Sequence, residues 1–300
     1  MEAGPVAVLV NPTAGRGRHR SLVPAVLQRL SAAGRPVVLV AAQAAGSAVT
    51  ACRAALADGA SALVAVGGDG TVHVALQAVA GTGVPFGIVP AGTGNDIASA
   101  LKLPTSLERA AGVIVDALDA GRTRPVDLGR VTLPDGEVRW FGGVLGAGFD
   151  ALVNERANRM RFPRGPRRYD VAILPELLKL RPRRYAMAFD GVPAEADAIL
   201  VAVANCPSYG GGFRICPDAD PTDGKLDILV GGRFTRRGLL RIIPRVRRGT
   251  HLGHPLVTVR RATTLTLAAE GITGYADGER LGPLPFTIDC VPAALAVLSP

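Results

Sequence analysis

The residues best placed to do chemistry sit in glycine-bearing turns. Gly67-Gly68-Asp69-Gly70-Thr71 follows the apolar run Ala62–Val66 and precedes the apolar-rich stretch Val72–Val79. That pattern reads as a buried parallel strand, a tight turn and a helix. Glycines let backbone N–H groups come close to a ligand, and the start of a helix offers its positive end, so a phosphate suits the place. Asp69 is an acid inside a turn that welcomes anions, which implies a bridging cation or an organised water shell. Two more turns have the same grammar. Asn11-Pro12-Thr13-Ala14-Gly15 follows Val6–Val10, and Pro90-Ala91-Gly92-Thr93-Gly94-Asn95-Asp96 follows Val84–Val89. The first is no Walker A loop, because no Gly-Lys-Ser/Thr ends it. Later, Asp277-Gly278-Glu279 sets two acids around a glycine, and Asp223-Gly224-Lys225 repeats the Asp-Gly step. By residue type alone, both read as hairpin turns.

The elements that must position these turns alternate. Strands Val6–Val10, Pro36–Val40, Ala62–Val66 and Val84–Val89 are separated by segments with helical spacing. These run over 21–33, from a Ser47 cap to Ala57, and over 72–79, with a further helix over 106–120. Such alternation predicts right-handed βαβ units on a parallel sheet, whose ligands collect at the carboxyl ends of the strands. All three early turns then fall on one edge. The first lacks G-x-G-x-x-G, so the usual dinucleotide fold is not expected. From Pro125 to about Thr287 short β-like runs dominate, among them Phe141–Leu145, Ile199–Ala204 and Leu226–Val230, with helices near 169–180 and 239–246. The expected organisation is a nucleotide-binding α/β domain over 1–125 and a β-rich domain over 126–290, with the apolar tail 291–300 returning to the first.

Composition narrows the class. The chain of 300 residues is 48% hydrophobic and 20% charged, the balance of a folded protein. Four scattered cysteines form no C-x-x-C pair, and the N-terminal stretch has no basic region followed by an apolar one. Reduced thiols in a cytoplasmic protein are expected. No apolar run reaches the length of a membrane span. The net charge of +9 is uneven: residues 155–184 hold ten basic residues against three acids, and 232–261 hold nine arginines and no acid. With only 4% aromatic residues, nucleic acid is a poor match, so no nucleic-acid partner is expected. Arginines interleaved with Leu, Ile and Val suit an anionic membrane surface better.

Taken in order, these motifs resemble those of the bacterial diacylglycerol kinase catalytic-domain family, lipid kinases related to sphingosine and ceramide kinases. The set also includes Gly148-Phe149-Asp150-Ala151, Val203-Ala204-Asn205, Gly210-Gly211-Gly212, Asp223-Gly224-Lys225-Leu226-Asp227, Gly249-x-His251 with His254-Pro255, and Asp277-Gly278-Glu279. The resemblance implies an α/β domain of phosphofructokinase and NAD-kinase type, and a β-sandwich-like second domain. It implies transfer of the ATP γ-phosphate to a hydroxyl of diacylglycerol or a similar lipid, with Mg2+. Asn11, Pro12, Thr13, Ala14 and Gly15 with Gly67, Gly68, Asp69, Gly70 and Thr71 would cradle the phosphates, and Thr93, Asn95 and Asp96 would lie on the neighbouring strand end. Asp69, Asp96 and Asp277 would form a carboxylate and water network around the active Mg2+. Glu279 would accept the lipid proton, with Asp277 the alternative base. Asp223, through its carboxylate, and Asp220 and Lys225, through backbone carbonyls, would hold a second, structural Mg2+. The basic tracts 156–184 and 233–248 would face the inner surface of the membrane, and a homodimer is left open.

One family feature departs. A threonine common at the end of the second strand is replaced in Ala41-Ala42-Gln43, with Ala42 the match. His251 and His254 stand at metal-like spacing, but Gly253 and Pro255 argue against a helix and no third ligand accompanies them, so a structural role is expected. Two rival readings remain. An NAD kinase shares the Gly-Gly-Asp-Gly-Thr turn but would want Asn-Glu where Asn95-Asp96 stands. A catalytically silent nucleotide-binding regulator would not need Asp69, Asp96, Asp277 and Glu279 together.

Overall fold

The computed structural model describes residues 4–10, 23–32, 34–40, 45–160, 162 and 167–300. Asn11–Gly15 and Ala41–Gln43 lie outside the described residues. The chain divides into two compact units, Met1–Leu128 with Pro292–Pro300, and Gly129–Val291.

In the first unit the order is β1 (Val6–Val10), α1 (Val23–Ala32), β2 (Val37–Val40), α2 (Ala45–Ala57), β3 (Ala62–Gly67), α3 (Asp69–Val79), β4 (Pro85–Pro90), α4 (Asp96–Ala100) and α5 (Leu107–Asp119). β5 (Arg124–Thr132) leads out of it. Strands β2-β1-β3-β4 lie side by side and parallel, as the alternation predicts. β3 is buried along its whole length, which is why it reads as an unbroken apolar run. The register Gly67↔Pro90 brings the ends of β3 and β4 level, so the turns that follow them begin beside each other. Val6, Val8, Val64 and Val66 pack with Leu30, Ala111 and Ile114 from the helices. α5 starts where its sequence says, with Ser106 Oγ accepting from Arg109 N at 3.2 Å. α2 begins at Ala45, so Ser47 lies inside the first turn and not ahead of it.

The second unit contains β6 (Val138–Phe141), β7 (Val144–Gly148), α6 (Phe149–Arg159), α7 (Arg167–Leu178), β8 (Arg183–Phe189), β9 (Val192–Ala198), β10 (Leu200–Ala204), β11 (Leu226–Gly231), α8 (Arg236–Arg248), β12 (Val257–Ala262), β13 (Thr264–Ala268), β14 (Thr273–Ala276), β15 (Glu279–Pro283) and most of β16 (Phe286–Val297). Its sheet β12-β11-β10-β7-β14-β15 is antiparallel throughout. A second antiparallel group joins β9, β8, β13 and the first half of β16. Side chains of both groups, including Leu145, Val203 and Leu226 from one and Tyr185, Leu265 and Ile288 from the other, share a core. The run expected as one strand over Phe141–Leu145 is broken at Gly142-Gly143, whose amides turn toward the Asp277 carboxylate. At its far end β16 runs beside β4 through Ala296 and Val297, within the first unit. The fold class is therefore a parallel α/β unit and an antiparallel, β-rich one.

Candidate active site

In the first unit the two described glycine turns are built against each other. Ala91 N donates to Gly67 O at 2.7 Å, extending the strand pairing into the turns. A Cβ on Gly92 would stand 2.4 Å from Gly68 Cα, so backbone lies on backbone and no side chain fits there. Gly68 precedes α3, and its carbonyl accepts from Thr71 N and Val72 N. Thr71 folds its hydroxyl back against Gly67 Cα, where a Cβ would meet it at 2.1 Å. Its buried Oγ1 has no hydrogen-bond partner among the described residues.

Asn95 is left-handed at φ +55, a conformation asparagine tolerates. Its Oδ1 accepts from Gly92 N at 2.9 Å and its Nδ2 donates to Gly92 O at 3.2 Å, so this amide braces its own loop. Thr93 is exposed at the tip. Asp69 and Asp96 stand in the first turns of α3 and α4, where a helix favours negative charge. Asp69 Oδ1 accepts from Ile97 N at 3.4 Å. A Cβ on Gly94 would meet Asp69 Oδ2 at 2.9 Å and Asp96 Oδ2 at 3.5 Å, so two carboxylates border one small space. Carboxylate oxygens are the hard donors that Mg2+ takes, so these two acids are residues of this unit that could hold one.

In the second unit Asp277-Gly278 forms the two-residue turn between β14 and β15, with both residues at positive φ (+50 and +89). The Asp277 carboxylate accepts from Gly142 N (2.9 Å), Gly143 N (2.8 Å) and Val144 N (3.2 Å). On the far side Gly278 O accepts from Asn154 Nδ2 at 3.0 Å and Asn158 Nδ2 at 2.9 Å. Glu279 opens β15 opposite Ala276 and is exposed. Of the two acids, Glu279 is the one turned to solvent, and Asp277 latches the turn to the β6–β7 link.

α6 carries this arrangement on one edge. Phe149, Val153 and Ala157 pack into a core with Ile173, Leu177, Leu239 and Ile242. The adjoining row, Asp150, Asn154 and Asn158, repeats every four residues and so shares a face. Asp150 Oδ1 accepts from Tyr209 OH at 2.6 Å. Desolvation pushes the Asp150 carboxyl up to about 6, against the pull of the Tyr209 hydrogen bond. A sequence reading that quotes Asp150 only as part of a motif, and passes over Asn154 and Asn158, misses this edge; the four-residue spacing is the available signal.

The other predicted residues separate from these. Asp220, Asp223 and Lys225 lie in the long connection between β10 and β11. Asp220 Oδ1 accepts from Thr222 N and Oγ1, and Asp223 Oδ1 from Lys225 N at 3.0 Å. Asp223 Oδ2 is ion-paired with Arg261, which also faces Asp227 Oδ2 at 3.7 Å. The Asp223 carboxylate expected to hold a second metal is thus engaged by Arg261 in this structure. Among the described residues no group of three His, Cys, Asp or Glu forms a metal cluster. His251 is buried with Nε2 3.0 Å from Ile215 O, while the His254 ring lies on Phe234. The four cysteines are unpaired by disulfide and buried. The basic tracts fall on α6, α7 and α8 and their flanks, beside exposed Leu152, Val171, Leu174, Leu178 and Leu240. No helix among the described residues is long and apolar enough to cross a membrane.

A parallel α/β unit with glycine turns and an antiparallel, β-rich unit are the parts expected of a two-unit kinase. Comparison with known proteins agrees. Residues 5–131 match the diacylglycerol kinase catalytic domain, and residues 143–299 match the YegS C-terminal NAD kinase beta sandwich-like domain. A diacylglycerol kinase of Mycobacterium tuberculosis is 44% identical over all of this chain and 96% of its own length. One from Bacillus subtilis is 27% identical over 93% of this chain and 90% of its own. A solved diacylglycerol kinase from Bacillus anthracis has a TM-score of 0.73 at 21% identity, covering 100% of this chain and 98% of that one. The chain belongs to the diacylglycerol kinase family.

Proposed function

We propose that the protein transfers the γ-phosphoryl group of ATP to a hydroxyl of diacylglycerol or a closely similar lipid. The observation that carries this reading is the pair of glycine turns in the first unit, locked at Gly68 and Gly92, with Asp69 and Asp96 bordering one space. Backbone amides at the start of α3 receive phosphate oxygens, while Asn95 keeps the second loop in shape and exposed Thr93 offers a hydroxyl. Asp69 and Asp96 would hold Mg2+, which would supply charge to offset the phosphates. Glu279 takes the proton of the acceptor hydroxyl as its oxygen bonds to the γ-phosphorus. The bond from that phosphorus to the β–γ bridging oxygen breaks, and ADP leaves. Asp277 holds the turn that bears Glu279. The exposed leucines of α6, α7 and α8, with their neighbouring arginines, support a reading in which the protein rests on an anionic bilayer at the inner face of the membrane.

The test is transfer of label from [γ-32P]ATP in mixed micelles to diacylglycerol, monoacylglycerol, ceramide, sphingosine and phosphatidylglycerol, with NAD as control acceptor. Labelled phosphatidic acid that disappears on removal of Mg2+ is expected. Label in NAD alone, or in no acceptor, contradicts the reading. Co-sedimentation with vesicles should rise with their anionic lipid content, and binding indifferent to that content removes the proposed membrane face.

A further inference from the structure

Five hydrogen bonds converge on the two residues that precede Glu279: three on the Asp277 carboxylate and two on the Gly278 carbonyl. Closing the hairpin requires none of them. An Asp-Gly pair with both residues at positive φ is already a self-sufficient two-residue turn. The Asp277 bonds tie the turn to its own sheet, since Val144 begins β7, the neighbour of β14. The Gly278 bonds do something else, because they tie the turn to a helix.

Asn154 and Asn158 stand one helical turn apart and bring two side-chain amides onto a single carbonyl oxygen, which uses both of its lone pairs. That carbonyl belongs to the peptide joining Gly278 to Glu279, so fixing its plane fixes the direction in which Glu279 leaves the turn. The helix they stand on is packed into a core. The row next to the asparagines, Phe149, Val153 and Ala157, is buried against α7 and α8. Asparagine is also a poor residue for a helix interior, so α6 gains nothing in its own stability from Asn154. We infer that Asn154 and Asn158 are positioning residues for phosphoryl transfer, which aim the Glu279 carboxylate at the acceptor hydroxyl. The inference rests on the reading of Glu279 as proton acceptor.

The experiment compares kcat, KM for ATP and melting temperature of the full-length wild type with those of Asn154→Ala/Asn158→Ala, Asn158→Asp, Asn158→Gln and Glu279→Gln, with diacylglycerol in mixed micelles. The double variant should lose about a hundredfold in kcat, the scale of a misplaced catalytic group, with KM for ATP and melting temperature little changed. Asn158→Asp keeps size and removes the donor, so its kcat should fall as well, whereas Asn158→Gln keeps the donor and should recover most of the rate. A double variant with wild-type kcat, or one whose lost activity is matched by lost folded protein, overturns the inference. If Glu279→Gln is crippled while the asparagine variants are not, the positioning role fails alone. If Glu279→Gln turns over normally, the assignment of the base fails, and the positioning role fails with it.

Discussion

In the first unit, Asp69 accepts from Ile97 N at 3.4 Å and lies with Asp96 against the open side of Gly94. In the second, Asp277 sits beside a glycine in a two-residue hairpin turn, and its carboxylate accepts from the amides of Gly142, Gly143 and Val144. Each acid is followed by a glycine in sequence, and their surroundings in space differ. At Asp69 the Asp96 carboxylate borders the same glycine, so the proposed cation would be shared by two acids. At Asp277 three amides supply the positive partners from within the fold. What an Asp-Gly turn does is therefore decided by the elements packed on it.

That contrast can be broken in order of expected effect. Asp69→Asn removes charge from the proposed phosphate and Mg2+ site, so phosphotransfer should fall at least about a hundredfold with the melting temperature held; normal turnover would end the role given to Asp69. Asp277→Ala should do the reverse and damage the fold first, because three amides lose their acceptor. A loss of about 3 kcal/mol in denaturant unfolding is expected. Gly92→Ala forces a methyl into 2.4 Å contact with Gly68 Cα and should cost about 2 kcal/mol as the turns separate, with weaker ATP binding measured by calorimetry.

The smallest effect concerns Asp150. Its carboxyl is pushed up from 3.8 to about 6 in the folded protein. The unfolded chain therefore releases this proton at lower pH than the folded one does. The group's contribution to stability is full below pH 3.8 and is lost as pH rises through about 6. Asp150→Asn keeps an acceptor for Tyr209 and should flatten that part of the profile, raising the melting temperature at pH 8 relative to the wild type. An unchanged pH profile would show that Asp150 is not desolvated.

Much of this was legible in the residues. The parallel unit followed from four apolar runs separated by helical spacing, and the level ends of β3 and β4 gave two of the three turns a shared edge. The hairpin at Asp277-Gly278 was readable from its Asp-Gly step. Its chemistry was not, because the partners of Asp277 come from Gly142–Val144, more than 130 residues earlier, and backbone amides leave no mark in a sequence. Asn95 read as a nucleotide contact; that its amide also braces Gly92 was not readable, since residue type only permits the left-handed φ it adopts. The Arg261 contact of Asp223 was not readable, because Arg261 on β12 comes near it only in the folded sheet. Asn154 and Asn158 looked like ordinary polar positions on a helix until the turn they hold was placed.

The central claim is that two acids two residues apart have different work, with Asp277 latching the turn and Glu279 taking the proton. The most direct test is the steady-state kinetics of Glu279→Gln with diacylglycerol in mixed micelles. The expected result is a fall in kcat of about a thousandfold with a wild-type melting temperature and a KM for ATP unchanged to within about twofold. A wild-type kcat, or a raised KM for ATP with kcat intact, would contradict the account and make Glu279 a binding group or a bystander.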